Sequence, residues 1–405
     1  MQRKGRCPNG VEGILTYNFY LLTFKDFQFP LSSLYIHIPF CQSRCLYCDF
    51  YSTTQQALRD RYVHALCVEM QHHKGNVATV YLGGGTPSQL TPRQLDRIFD
   101  AIHIYYNVAD DAEITVECNP DDVTPERLHH LRSLGVNRLS MGIQTFDDDT
   151  LRFLRRRHTA EQAIHAVSDA QDAGFGNLSI DLMFGFPQRN AWPSPADARS
   201  LFANDLNTAL SLDIQHLSAY SLMYEPGTPL TRLRDSGEVQ ACDDETALAL
   251  YEMLLDRTAE AGFEHYEISN FARPSFRSRH NSAYWNDTPY IGLGAGAHAY
   301  DGNRRYYHPD DLTAYLQNPL NLVTETLSPD EHYNEYVMTR LRTCEGLNLP
   351  TLLQRFGPAL HDHFLTCARP HLEARRLVQD DNQNIRLSRS GIFVSDDIMS
   401  DCMKI

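Results

Sequence analysis

Cys41-Gln-Ser-Arg-Cys45-Leu-Tyr-Cys48 sets three thiols on one short segment at x3 and x2 spacing, directly after the apolar run Leu34-Tyr-Ile-His-Ile38. Three thiolates on one loop can hold one face of a cubane iron–sulfur cluster, which takes four such ligands. No fourth cysteine is close in the sequence. That reading leaves one iron open to an exogenous ligand, as where a metal takes part in chemistry. Two other readings of the same residues stand beside it. A zinc knot would need a second Cys or His pair to close its tetrahedron, and the cysteines would need no metal at all if they were structural.

A second set of chemistry-bearing residues follows. Gly83-Gly84-Gly85-Thr86-Pro87 closes an apolar run. Glycines there let the backbone approach a ligand that a Cβ would exclude, and free amides suit a small zwitterion, although a Gly-rich turn also serves as a plain connection. Glu117 and Gln144 end two further β-like runs, Asp181 lies inside another, and Arg156 follows Gln144. A charge inside an apolar strand is costly unless paired. A ribose diol, an ammonium or a carboxylate would pair it, and so would an internal Glu117–Arg156 ion pair.

The elements that must position these residues alternate. β-like runs are expected at residues 34–38, 78–82, 113–117, 138–143, 178–184 and 216–222, with helices between them at 57–73 and 92–104, the latter capped by Thr91. Right-handed βα units of this kind give a parallel sheet whose ligands collect at the carboxyl ends of the strands. The fold class expected is α/β, a partial (β/α)6 barrel of the TIM type over residues 33–230. A smaller α+β region over 231–325 would follow, with a helix at 243–260, an extended stretch at 266–272 and an aperiodic segment at 273–311. Helices at 331–341 and 349–356 and a β-like stretch at 384–393 predict a C-terminal helical, winged-helix-like domain over 326–405.

The cysteine spacing and its setting, Tyr35-Ile-His-Ile-Pro-Phe-Cys41 through Asp49-Phe50-Tyr51-Ser52, resemble the radical S-adenosylmethionine (SAM) superfamily. Within it they are similar to the branch of oxygen-independent coproporphyrinogen III oxidases and HemW haem chaperones. The resemblance runs from about residue 34 to the C-terminus. It implies a [4Fe-4S] cluster on Cys41, Cys45 and Cys48, and SAM held by Gly83, Gly84, Gly85, Thr86, Glu117, Gln144, Arg156 and Asp181, with Tyr35 and Tyr47 lining the site. It further implies an electron donor for the cluster and cleavage of SAM to methionine and a 5′-deoxyadenosyl radical. His280-Asn281-Ser-Ala-Tyr284-Trp285 matches the H-N-x-x-Y-W pattern implicated in haem binding in the HemW group. His is a common haem ligand, Tyr and Trp offer flat faces to a macrocycle, and Arg277 or Arg279 would pair with propionates. A structural loop whose His and Asn bond the backbone is the plainer reading. His298, in Gly292-Leu-Gly294-Ala-Gly296-Ala-His298, is a second candidate iron ligand. The oxidases resemble Cys-x3-Cys-x2-Cys-x-Cys, and here the last position is Phe50. The function implied is therefore haem binding and delivery to apo-haemoproteins, membrane respiratory ones among them, with oxidative decarboxylation of coproporphyrinogen III as the alternative.

Composition limits the partners. A net charge of −15 argues against a nucleic-acid surface, although Arg155-Arg156-Arg157 offers a local basic patch. Ten cysteines in 405 residues do not read as a disulfide framework, which fits the cytoplasm, with contact at the membrane periphery for delivery. No uninterrupted apolar run is long enough to span a bilayer. Arg3, Lys4 and Arg6 before residues 14–24 loosely mimic a leader. Residues 1–32 are expected to be an atypical extension or the product of an upstream start codon.

Overall fold

The computed structural model describes residues 32–188 and 193–404. The expected extension, apart from Ser32, and its leader-like stretch lie outside the described residues. Six parallel strands stand side by side in sequence order: β1 (Ser32–Ile38), β2 (Gly75–Gly84), β3 (Tyr106–Cys118), β4 (Arg138–Gln144), β5 (Leu178–Phe184) and β6 (His216–Ser221). Helices Arg59–Met70, Pro92–Tyr105, Pro125–Ser133, Ala160–Asp172 and Pro195–Ser211 connect them. The expected strands and crossovers are all present, and the fold is the partial TIM-like α/β barrel.

Strict alternation along the strands decides which face is which. Leu34, Ile36 and Ile38 of β1, Val80 and Leu82 of β2, Ile114 and Val116 of β3, and Leu139, Met141 and Ile143 of β4 are buried in one apolar core under the helices. The intervening residues are Tyr35, His37, Thr79, Tyr81, Glu113, Thr115, Glu117, Arg138, Ser140, Ser179, Asp181, His216 and Ser218. They line the bore and nearly all are polar. Parallel strands covered on both faces normally read as continuous apolar runs, so a polar inner face marks a bore built for something other than packing. The helices are locally specified as well. Thr91 caps Pro92–Tyr105 in a reciprocal capping box with Gln94, which contributes on the order of 1 kcal/mol, and Leu95, Ile98, Phe99 and Ile102 form its buried stripe.

After helices Pro229–Asp235 and Asp244–Glu260 the chain extends both sheet edges. The stretch expected to be extended at 266–272 is a hairpin, β7 (Glu264–Glu267) and β8 (Asn270–Ala272), paired antiparallel to β6. The segment at 273–311, which showed little periodicity, holds a helix Arg279–Trp285 and three short strands. Of these, β9 (Tyr290–Leu293) runs parallel to β1 with Tyr35 opposite Gly292. β10 (His298–Tyr300) and β11 (Arg304–Tyr307) follow antiparallel, and β12 (Val323–Thr326) completes the twelve-stranded sheet. The C-terminal region packs helices Pro329–Leu341, Leu349–Glu373 and Ser395–Cys402 on a small sheet of β13 (Leu347–Asn348), β15 (Asn384–Leu387) and β14 (Leu377–Gln379). Its own core holds Tyr333, Val337, Leu352, Phe364, Ile385 and Ile398. Helix Leu349–Glu373 is interrupted at Gly357, with φ 78°, which accounts for the sequence signal ending at Phe356.

Candidate functional site

The cysteine loop leaves β1 and is held from both sides. Leu46 sinks into an apolar cluster with Leu154, Met183, Phe186, Leu222 and Leu230. Its backbone N–H donates to Leu154 O (3.2 Å) and its carbonyl accepts from Leu230 N (3.0 Å). With Leu46 anchored, Cys41, Cys45 and Cys48 remain half-buried at the mouth of the bore. Thr86 Oγ1 donates to Cys41 Sγ (3.4 Å) and Arg156 Nη1 to Cys45 Sγ (3.6 Å). Burial pushes the Cys48 thiol up to about 11, with its two neighbouring thiols adding to the effect, and raises Cys41 as well. Thiols held protonated are poor free nucleophiles. Metal binding takes the thiolate form and displaces the protons, and three half-buried thiols on one short loop are a donor set that fits a metal cluster. Among the described residues no three His, Cys, Asp or Glu side chains surround a single metal ion.

Gly83 to Thr86 lie against this loop, but two of the amides expected to be free are engaged. Gly84 N donates to Glu117 Oε2 (3.1 Å) and Gly85 N to Ile38 O (2.9 Å). The glycines are required by the protein itself. At Gly84, φ +109°, a Cβ would lie 2.5 Å from the His37 ring, and at Gly85 one would lie 2.8 Å from the Pro39 backbone.

The bore carries the remaining predicted residues. Glu117 also accepts from Tyr81 Oη (2.8 Å). Burial drives its carboxyl up to about 7 and that of Asp181 up to about 6, in the latter case against the Ser218 hydroxyl and the Arg138 charge. Arg156 does not pair with Glu117. Its guanidinium donates to Asn119 Oδ1 (2.8 Å) and to Gly142 O as well as to Cys45. Gln144 sits at φ 75° beside a register shift between β4 and β5. A left-handed, non-glycine residue at a strand end is a costly conformation that aims a side chain. Tyr47 is half-buried beside the cysteines, and burial raises its phenol. The basic triplet is no surface patch: Arg156 points inward, and Arg157 pairs with Asp121 (2.9 Å) and Asp122 (3.2 Å).

Above the bore opens an aromatic cleft of about 370 Å³ lined by Tyr35, His37, Phe50, Tyr51, Tyr284, Tyr290, Gly296, His298 and Asp310, within the usual size of small-molecule sites. The His280 segment contributes to it unevenly because it is a helix and not a loop. Its N-cap Ser278 accepts from Asn281 N. His280 is 1 % exposed, inside the bore against Tyr81, with Nδ1 bonded to Thr79 Oγ1 (2.8 Å) and Nε2 to Tyr284 Oη (3.0 Å). Burial lowers it to about 3. Trp285 lies under the Arg342 guanidinium, on the C-terminal side. Arg277 pairs with Glu264 and Glu345, and Arg279 with Asp111. Of the four motif residues only Tyr284 lines the cleft.

Sequence reasoning passed over His37, Tyr81 and Arg138, although each continues the alternation through a residue it had singled out, from Tyr35 to His37 and from Gly83 back to Tyr81. Tyr290 and Asp310 carried no periodic signal.

A partial barrel with a three-cysteine loop over its strand ends, a polar bore and a small C-terminal helical region is the architecture of the radical SAM class. The comparisons agree. Residues 35–194 match the radical SAM superfamily and residues 327–394 the HemN C-terminal domain. Coproporphyrinogen III oxidase (HemN) from Escherichia coli superposes with a TM-score of 0.79 over 93 % of this chain and 91 % of that one, at 24 % identity, which speaks to the fold. Among relatives, the heme chaperone HemW of Bacillus subtilis is 34 % identical over 91 % of this chain and 98 % of its own length. That of Synechocystis is 36 % identical over 80 % and 81 %, and that of Escherichia coli 34 % over 67 % and 70 %. The chain belongs to the HemW family. Among the described residues no helix is long and apolar enough to cross a membrane.

Proposed function

We propose that this protein is a haem chaperone that takes up haem in the aromatic cleft and passes it to apo-haemoproteins, membrane respiratory proteins among them, from the cytoplasm or the membrane periphery. The observation that carries this reading is the cleft itself. Flat aromatic side chains surround an open site directly beside the cysteine loop, and Phe50, 66 % exposed, forms its rim. An exposed aromatic on the rim of an aromatic-lined cleft offers its face to a planar apolar ligand. The HemW relatives support the same reading.

Cys41, Cys45 and Cys48 would hold the [4Fe-4S] cluster, and Gly83 to Thr86, Glu117, Gln144, Arg156 and Asp181 the SAM, with Tyr35 and Tyr47 at its edge. Held by these residues, the cluster would supply electron transfer to SAM, with the electron coming from an external donor. The chain's own residues do the positioning. Leu46 fixes the loop, Arg156 balances charge beside Cys45, and Glu117 and Asp181 present carboxylates in the bore, the former accepting from Tyr81 Oη and Gly84 N. In this reading the barrel, 33–230, serves the haem-side region, 231–325, and the C-terminal domain, 326–405.

The experiment is an anaerobic titration of the reconstituted protein with hemin, followed by mixing with a soluble apo-cytochrome b as acceptor. Saturable binding with transfer of the Soret band to the acceptor is expected. Absence of saturable binding would end the proposal. In a parallel incubation with coproporphyrinogen III, SAM and reductant, protoporphyrinogen IX at multiple turnovers would replace it with the oxidase reading, which the HemN-type C-terminal domain supports.

A further inference from the structure

A haem bound in the cleft needs an axial ligand for its iron, and three histidines lie in or next to the cleft. His37 is engaged at both ring nitrogens, Nδ1 with Tyr35 Oη (3.0 Å) and Nε2 with the Tyr51 carbonyl (3.0 Å). His280 is engaged at both as well, by Thr79 and Tyr284, and stands behind Tyr284 with almost no exposure. Ligation by either would require breaking a buried hydrogen bond and leaving its partner unpaired, a cost of roughly 1–3 kcal/mol.

His298 differs in every respect. Its ring is exposed and lines the cleft, and among the described residues no hydrogen bond or ion pair holds either ring nitrogen. The ring plane is nonetheless fixed. It stacks on Tyr307, its cross-strand partner between β10 and β11, at a centroid distance of 5.1 Å and an interplanar angle of 14°. Its backbone is fixed too, since β9 and β10 approach so closely that a Cβ on Gly292 would fall 1.8 Å from His298 O. An imidazole with unengaged nitrogens, a set plane and a rigid strand beneath it is preorganised for one more bond.

We propose that His298, and not His280, is the protein's axial ligand to haem iron in the aromatic cleft. One imidazole nitrogen donates its lone pair to the iron in place of a solvent ligand, while Tyr307 holds the ring from behind. This rests on the reading of the cleft as the haem site. His280 keeps a separate task, filling the bore and setting Tyr284 through its hydrogen bond.

The test is hemin titration of the full-length reconstituted protein, read by the Soret and visible bands and by electron paramagnetic resonance. His298→Ala is expected to lose the imidazole-ligated spectrum and weaken hemin binding about tenfold or more, and free imidazole is expected to restore the spectrum in the variant. His280→Gln is expected to keep it. An unchanged spectrum in His298→Ala would overturn the assignment, as would loss of ligation in His280→Gln with an unchanged thermal midpoint. If the wild-type protein bound no hemin, the haem reading itself would fail. If it bound hemin with the His298→Ala spectrum unaltered, only the ligand assignment would fail.

Discussion

Two buried polar clusters lie close together in this molecule and differ in how completely they are satisfied. In the first, Glu69 of helix Arg59–Met70 sits fully buried with Oε1 on His308 Nε2 (2.8 Å), while Oε2 accepts from Gly294 N (3.0 Å) and Tyr315 Oη (2.6 Å). Both carboxylate oxygens are satisfied by protein. In the second, the bore, Arg138 is 1 % exposed and its Nε has no partner, nor do Arg156 Nε and Thr115 Oγ1. Buried polar atoms without partners are rare and call for a reason. The Glu69 cluster is closed and ties the β9 return to the barrel. The bore is open, with hydrogen-bonding capacity left for a ligand.

Breaking the closed cluster should therefore cost stability and spare binding. Glu69→Ala strands an imidazole, an amide and a phenol in the core and is expected to lose about 3–5 kcal/mol in urea unfolding, with hemin affinity of the folded fraction unchanged. Glu117→Gln should do the reverse. It removes a carboxyl that is hard to ionise where it stands, so stability at neutral pH stays within about 1 kcal/mol of wild type or rises, while SAM affinity in calorimetric titration falls roughly tenfold, ~1.4 kcal/mol. Equal destabilisation by the two substitutions would erase the distinction.

The same contrast is visible in pH. The Glu117 carboxyl is raised to about 7 and that of Asp181 to about 6 in the folded state. The folded protein therefore keeps protons that the unfolded chain has already released. Stability of the ligand-free protein falls as pH rises from the unfolded carboxylate range toward about 7, and the fall is shallower in Glu117→Gln. SAM carries a sulfonium charge that favours the ionised carboxylates, so its affinity climbs over the same interval. A stability profile identical in wild type and variant would show that Glu117 titrates normally and that the bore is not short of partners.

How much of this was legible follows from what set each element. The six strands were legible because apolar residues at every second position face the helices, and that alternation is local. The polar residues between them carried the bore with them, including Glu117 and Asp181. The strands β9 to β11 were not legible. They are three or four residues long, and pairing with β1 and with each other defines them, which no local pattern records. The helix at Arg279–Trp285 was hidden for a related reason, since it has fewer than three turns and its burial comes from a distant barrel. Glu69 carried no signal in the sequence, because its partners come more than 200 residues later. Arg156 and Arg157 read as one basic patch because adjacent residues share a sequence position but not a direction.

The smallest effect bears on Gln144. The residues after its left-handed backbone are pinned by Asp205, which accepts from Thr145 Oγ1 (2.7 Å) and Phe146 N (2.7 Å), and its side-chain Nε2 packs so close to Gly142 that a Cβ there would lie 2.8 Å from it. Such a conformation costs a non-glycine residue roughly 1–2 kcal/mol. Gln144→Gly relieves it but adds freedom to the unfolded chain, a cost of roughly 0.5–1 kcal/mol, so net stability should change by less than about 1 kcal/mol. Gln144→Ala keeps the strain and loses the same amide. The two variants should therefore bind SAM equally poorly, with glycine the more stable in urea unfolding. If alanine were as stable as glycine, the backbone there would not be strained for the sake of the side chain. If both bound SAM normally, the amide would belong with the closed polar cluster in kind, a structural group in the bore and not a part of the ligand site.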